Sequence, residues 1–223
     1  MRAVLIFTLI STALVHRGCA FLPRTRISLA KPINVFAMSA STEAKKDIPA
    51  ARATLVSAAR NRDQEPEAIL DAIALLEKEG RTKGARTQSG SGTPRFDKLT
   101  TNGNWQLVFT TGDVKTQKKL GTKINYVPIK AVQVFKSDKT ITNGIYVGSF
   151  PLLLFSGTFT WNEAQSRLNF TFDAVSVLGL SFPFKQGEAK VQPGFTFADI
   201  GDEYVIARGA GGGLALWLRV DNV

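Results

Sequence analysis

Cysteine and histidine are nearly missing from this 223-residue chain, with Cys19 and His16 the single representatives. Both fall within residues 1–40, which read as a removable leader, so the mature protein is expected to contain neither. Their loss excludes a cysteine nucleophile, a Ser-His-Asp triad, Cys/His zinc sites and a disulfide framework. Carboxylate, lysine or substrate-assisted chemistry is left. The acids Asp199, Asp202 and Glu203 sit close together but show no paired acid-and-base arrangement. The expectation is a protein that is not an enzyme and uses no cofactor and no metal.

Acidic residues are missing from residues 1–40 as well. Residues 1–20 carry Arg2, the apolar run Ala3 to Leu14 and then Gly18-Cys19-Ala20, the pattern of a signal peptide. Its apolar run is too short for a permanent membrane anchor. Residues 21–40, opening Phe21-Leu22-Pro23-Arg24, are basic and hydroxyl-bearing, the composition of a transit peptide. A signal peptide followed by a transit peptide that begins with Phe resembles the bipartite leader of algae with complex plastids. That resemblance implies a plastid (chloroplast) destination reached through the secretory entry route, in the stroma or at thylakoid or plastoglobule lipid. Removing five basic residues (Arg2, Arg17, Arg24, Arg26 and Lys31) lowers the formal net charge from +10 to about +5. Much of the basicity is therefore an address, and a nucleic-acid partner is not expected. The residue of positive charge suits an anionic lipid surface.

The mature chain changes its period once. Residues 41–79 read as a helical hairpin. Asp47 is placed to cap the first helix, and Ala51, Leu55, Ala58 and Ala59 share a face. In the second helix Pro66 stands early, Ile69, Ala72, Ile73 and Leu76 form a stripe, and Gly80 is the expected stop. Residues 80–95 are a linker by composition, rich in Gly, Ser and Thr with no acid. From Phe96 the period is two: Trp105, Leu107 and Phe109; Phe159 and Trp161; Leu168, Phe170 and Phe172; Leu214, Leu216 and Leu218 alternating with Ala215, Trp217 and Arg219. No long helical period interrupts these strands, so a nucleotide-binding βαβ sheet is not expected. Residues 96–223 are expected to form a mainly β, antiparallel barrel, because closure removes the edges such apolar strands would expose.

Two segments carry a family resemblance. One is Gly103-Asn104-Trp105-Gln106-Leu107-Val108-Phe109-Thr110-Thr111. The other is Glu203-Tyr204-Val205-Ile206-Ala207-Arg208-Gly209, running on through Gly212-Gly213 to Arg219. Over residues 45 to 223 the chain resembles the plastid lipid-associated proteins, the PAP/fibrillin family. The resemblance implies a lipocalin-like β-barrel that binds and organises apolar plastid lipids of the quinone, tocopherol or carotenoid class. For such a cavity the candidate lining is Trp105, Leu107, Phe109, Phe159, Trp161, Phe170, Phe172, Phe195 and Trp217. Gly103-x-Trp105 also matches the opening of lipocalins, where the Trp plugs the narrow end under a late Arg, here Arg208 or Arg219. Gly103, Trp105, Arg208, Gly209 and Arg219 are thus structural candidates. The competing expectation is a coat or scaffold protein at plastoglobule or thylakoid surfaces, with a filled barrel and an exposed apolar patch.

Three further stretches invite misreading. Gly144 to Trp161 runs eighteen residues without a charge, but Gly148, Pro151 and Gly157 argue for two strands and a turn instead of a membrane span. Gly209, Gly211, Gly212 and Gly213 lack the helix a phosphate loop requires and are expected to turn a hairpin. Asn169-Phe170-Thr171 is a glycosylation sequon expected to go unused, mid-strand and bound for a plastid.

Overall fold

The structure is a computed structural model that describes residues 48–83, 95–121, 125–185 and 192–223. The two leader segments, the cap expected at Asp47 and most of the linker lie outside the described residues. Four helices and nine strands follow in order: α1 (Ile48–Asn61), α2 (Pro66–Lys83), α3 (Arg95–Thr100), β1 (Asn104–Thr110), α4 (Val114–Leu120), β2 (Lys130–Phe135), β3 (Thr140–Val147), β4 (Phe150–Asn162), β5 (Arg167–Val177), β6 (Leu180–Pro183), β7 (Gly194–Ile200), β8 (Tyr204–Gly209) and β9 (Leu214–Arg219).

The helical stripes are buried as the spacing requires. Leu55 and Ala58 of α1 and Ile69 of α2 are fully shielded. The second helix differs from expectation at its end, because it runs through Gly80 to Lys83. Gly80 lies where a side chain would come within 3.4 Å of the Ala198 carbonyl, so α2 rests closely on β7 there. Packing against the sheet offsets the roughly 1 kcal/mol that a helical glycine costs.

All nine strands pair antiparallel in the order β4-β3-β2-β1-β9-β8-β7-β5-β6, and β4 also pairs β5, so the hydrogen-bonded ladder closes into a ring. β5 has two partners on its other edge, β7 at Arg167–Asn169 and β6 at Ala174–Val177. Because β4 and β5 run 13 and 11 residues against six or seven in β1, β7, β8 and β9, the β3–β6 side projects past the rest.

Strand alternation splits the apolar residues into two cores. Inside the ring lie Trp105, Leu107, Phe135, Phe159, Leu168, Phe170, Phe172, Phe197, Val205 and Trp217. The opposite face of β7–β9 presents Ala198, Tyr204, Ile206, Leu214, Leu216 and Leu218 to the stripes of α1 and α2. The link between these helices is tied to the β1–β2 connection. Arg62 donates to the Val127 carbonyl at 2.8 Å, and the Tyr126 hydroxyl donates to the Gln64 carbonyl at 2.9 Å.

Phe109 corrects one expectation. Period-two spacing groups it with Trp105 and Leu107, yet it packs outside the ring with the helices. The cause is a bulge. Leu107 pairs Trp217 while Phe109 pairs Leu216, so Val108 is the extra residue and the alternation reverses after it.

Candidate functional site

The two ends of the ring differ in chemistry. One end is capped by α3, and its closure centres on Trp105 and Arg219. Trp105 is fully buried and donates its indole N–H to the Leu99 carbonyl at 2.9 Å. The Arg219 guanidinium lies 4.1 Å from the centre of the Trp105 ring. Its Nη2 donates to the Lys98 carbonyl at 2.8 Å, its Nη1 to the carbonyls of Thr101 and Asn102, and its Nε to that of Asp202. The carbonyls at the end of α3 have no helical partner of their own, and this one planar fork satisfies several of them. Burial pulls the Arg219 guanidinium down from its ordinary value, with Asp202 opposing. Gly103 is required by close approach, since a Cβ there would sit 2.1 Å from the Phe135 carbonyl.

Of the two arginines that matched the pattern, Arg219 takes the place over the tryptophan. Arg208 faces outward and makes a two-point ion pair with Glu77 of α2, both contacts at 2.9 Å. The residues after it turn the β8–β9 hairpin, with Gly212 at φ 84°, and no helix follows. Gly209 ends β8 and donates its N–H to the Gly213 carbonyl at 2.8 Å.

Eight of the nine candidate lining residues come together inside the ring. Trp105, Leu107, Phe159, Phe170, Phe172 and Trp217 are buried there, and Trp161 and Phe195 pack against them half-buried. Phe109 is the exception. The rings form a continuous network: Phe170–Phe195 at 5.4 Å, Phe195–Trp217 at 5.5 Å, Trp161–Phe197 at 5.8 Å and Phe135–Phe159 at 6.0 Å. These are contact distances for aromatic pairs, so this part of the interior is packed.

Two polar atoms interrupt the apolar lining. Gln133 lies between the inward Ala131 and Phe135 on the same face of β2, and its Oε1 is buried without a hydrogen-bond partner on the protein. The Trp217 indole N–H is also buried and unpartnered. Asn143, paired with Gln133 across β2–β3, is a third buried polar residue on this face. Alternation of apolar residues gave no signal for Gln133 or Asn143. Their polarity in mid-strand was the available clue.

At the far end the inward face does not stop at the ring. Register places Val177 and Leu180 opposite one another, and Val175 opposite both Phe155 and Phe182, all on the face of the inner core. Phe184 follows on the same face and meets Phe155 at 5.3 Å. Val177, Leu180 and Phe182 remain 43%, 67% and 51% exposed. Val147, Phe150 and Leu178 are exposed beside them in the β3–β4 and β5–β6 hairpins, the first of which holds the uncharged stretch seen in the sequence. It forms strands, and no helix among the described residues is long and apolar enough to cross a membrane.

A polar cleft of about 390 Å³ lies between α1 and the capped end, lined by Arg52, Arg95, Lys98, Asp199, Asp202 and Tyr204 among others. Each of its two carboxylates meets a cation, and its third cation binds a hydroxyl. Arg52 pairs Asp199 at 3.1 Å, Lys98 pairs Asp202 at 3.7 Å, and Arg95 donates to Ser166. Tyr204 donates to Asp199 at 2.7 Å, and burial followed by that carboxylate pushes its phenol well above the ordinary value. A phenol so held keeps its proton and is unsuited to act as a base. Among the described residues no three carboxylate, histidine or cysteine side chains gather as metal ligands.

No protein-family model matches the sequence, and no curated protein matches it.

Proposed function

We propose that this protein binds apolar lipids of the quinone, tocopherol or carotenoid class, seated in the mouth of a lipocalin-like barrel, and that it works in a plastid alongside the PAP/fibrillin proteins it resembles. One observation carries the reading. The inward apolar lining continues past the packed aromatic interior and reaches solvent as Val177, Leu180 and Phe182. A long isoprenoid chain laid on that face covers surface that the protein leaves wet. Burial at about 25 cal/mol per Å² supplies affinity without demanding many polar contacts.

The reading is tested with a polyene fatty acid whose fluorescence rises on leaving water. The full chain is expected to take it up saturably, and α-tocopherol is expected to displace it. Leu180→Asp combined with Phe182→Asp should weaken uptake at least tenfold while the circular dichroism of the fold is unchanged. Equal uptake by that variant would overturn the mouth as the lipid site.

A further inference from the structure

The exposed apolar side chains are not scattered. Among the described residues the large ones that stand out in solvent are Val114, Val147, Phe150, Val177, Leu178, Leu180 and Phe182. The direction of the strands puts all of them at the end of the ring opposite α3. Two hairpin turns supply most of this surface and lie side by side. Val147 pairs Phe150 across the first turn, Leu153 pairs Val177, and the Leu178 N–H donates to the Leu152 carbonyl at 3.0 Å.

Charge follows the same geography. Gly144 to Trp161 and Ala174 to Phe184 contain no charged residue. Cations accompany them. Lys130 donates to the Gly148 carbonyl in the β3–β4 turn at 3.0 Å with its ammonium 5.9 Å from the Tyr146 ring, and exposed Lys185 follows β6. Apolar side chains flanked by these two cations complement an anionic lipid surface, in which the apolar groups enter the acyl boundary and the ammonium groups snorkel to headgroup level.

The backbone adds an independent sign. Leu178 and Gly179 have φ of 51° and 86°. A hairpin turn with two such positions favours Asn-Gly or Asp-Gly, because a leucine there strains its own Cβ. This chain holds a leucine at the strained position, and the side chain is 61% exposed. Its packing within the protein therefore gives little return for the strain.

We propose that the β3–β4 and β5–β6 turns form one docking patch for an anionic lipid surface, with Val147, Phe150 and Leu178 inserting and Lys130 and Lys185 meeting the headgroups. This deepens the lipid-binding reading by naming the surface through which the mouth reaches its lipid source. It can also fail separately, since probe uptake does not require a membrane.

The test is sedimentation of the full chain with vesicles of neutral phospholipid, alone or with about one-third anionic lipid, every variant sharing the same N-terminus. The wild type is expected to prefer the anionic vesicles, and Lys130→Gln with Lys185→Gln should remove that preference. Phe150→Asp with Leu178→Asp should weaken partition on the order of tenfold per side chain. Leu178→Asn separates docking from folding: it should raise the thermal midpoint and weaken vesicle binding, opposite signs that a structural leucine would not give. Unchanged sedimentation of these variants overturns the patch whether or not the polyene probe is taken up. So does a wild type that self-associates through the patch and ignores vesicles, which would assign it to a second copy of the chain.

Discussion

Arg219 and Arg208 are eleven residues apart, carry the same group and have opposite consequences. Arg219 lies over Trp105 and satisfies carbonyls around the end of α3, so its removal strands them at the capped end. Arg208 pairs Glu77 between β8 and α2 with its own side chain 45% exposed and that of Glu77 15% exposed, so water can replace only part of that contact. Arg219→Ala is expected to lower the unfolding free energy by about 2–4 kcal/mol, and Arg219→Lys to recover only part of it. Arg208→Ala should cost less, about 1–2 kcal/mol, because it leaves the largely shielded Glu77 carboxylate without its bidentate partner. Urea unfolding of the three variants checks the ordering, and equal losses at the two sites would contradict it. The sequence offered both arginines without choosing between them, because the choice depends on inward or outward facing in β8 and β9. Phe109 was lost to the same problem, since one extra residue at Val108 reverses every later side chain on β1.

At the scale of elements, the helices were legible because their stripes are regular. Ala51, Leu55, Ala58 and Ala59, then Ile69, Ala72, Ile73 and Leu76, are buried together as spacing alone required. The end of α2 was not legible, because a glycine reads as a stop unless its neighbour in space is known. Ala198 of β7 is that neighbour. Since a Cβ at position 80 would make an ordinary contact, Gly80→Ala should stabilise the protein by about 0.5–1 kcal/mol, read as a raised urea midpoint with unchanged slope. A loss of stability would show that α2 does not continue through that residue. The strands were legible as strands, but their bulges were not. On β5 the residues on the inward face are Leu168, Phe170 and Phe172, then Val175 and Val177, because Gly157 pairs Phe172 while Ser156 pairs Ala174. Simple alternation would have continued to Ala174 and Ser176 and missed how the apolar face reaches the far end.

The whole molecule is polarised. A cap of side-chain hydrogen bonds to backbone carbonyls and a polar cleft close one end, aromatic rings pack the middle, and apolar hairpins stand in water at the other end. Antiparallel β-structure was legible because period-two alternation repeats from Trp105 to Arg219. The closure of the ring and the grouping of exposed leucines and phenylalanines were not, because both are set by which strands neighbour one another and by the extra length of β4 and β5. In the proposed lipid binding the packed half holds the shape, and the wet apolar half takes the isoprenoid chain. The most direct test is capture. The full chain is incubated with a thylakoid lipid extract, repurified and examined by native mass spectrometry with organic extraction, beside Leu180→Asp combined with Phe182→Asp. The account predicts close to one quinone, tocopherol or carotenoid per wild-type protein and a clear loss in the variant. A wild type that emerges without lipid, or a variant that keeps it, would contradict the account.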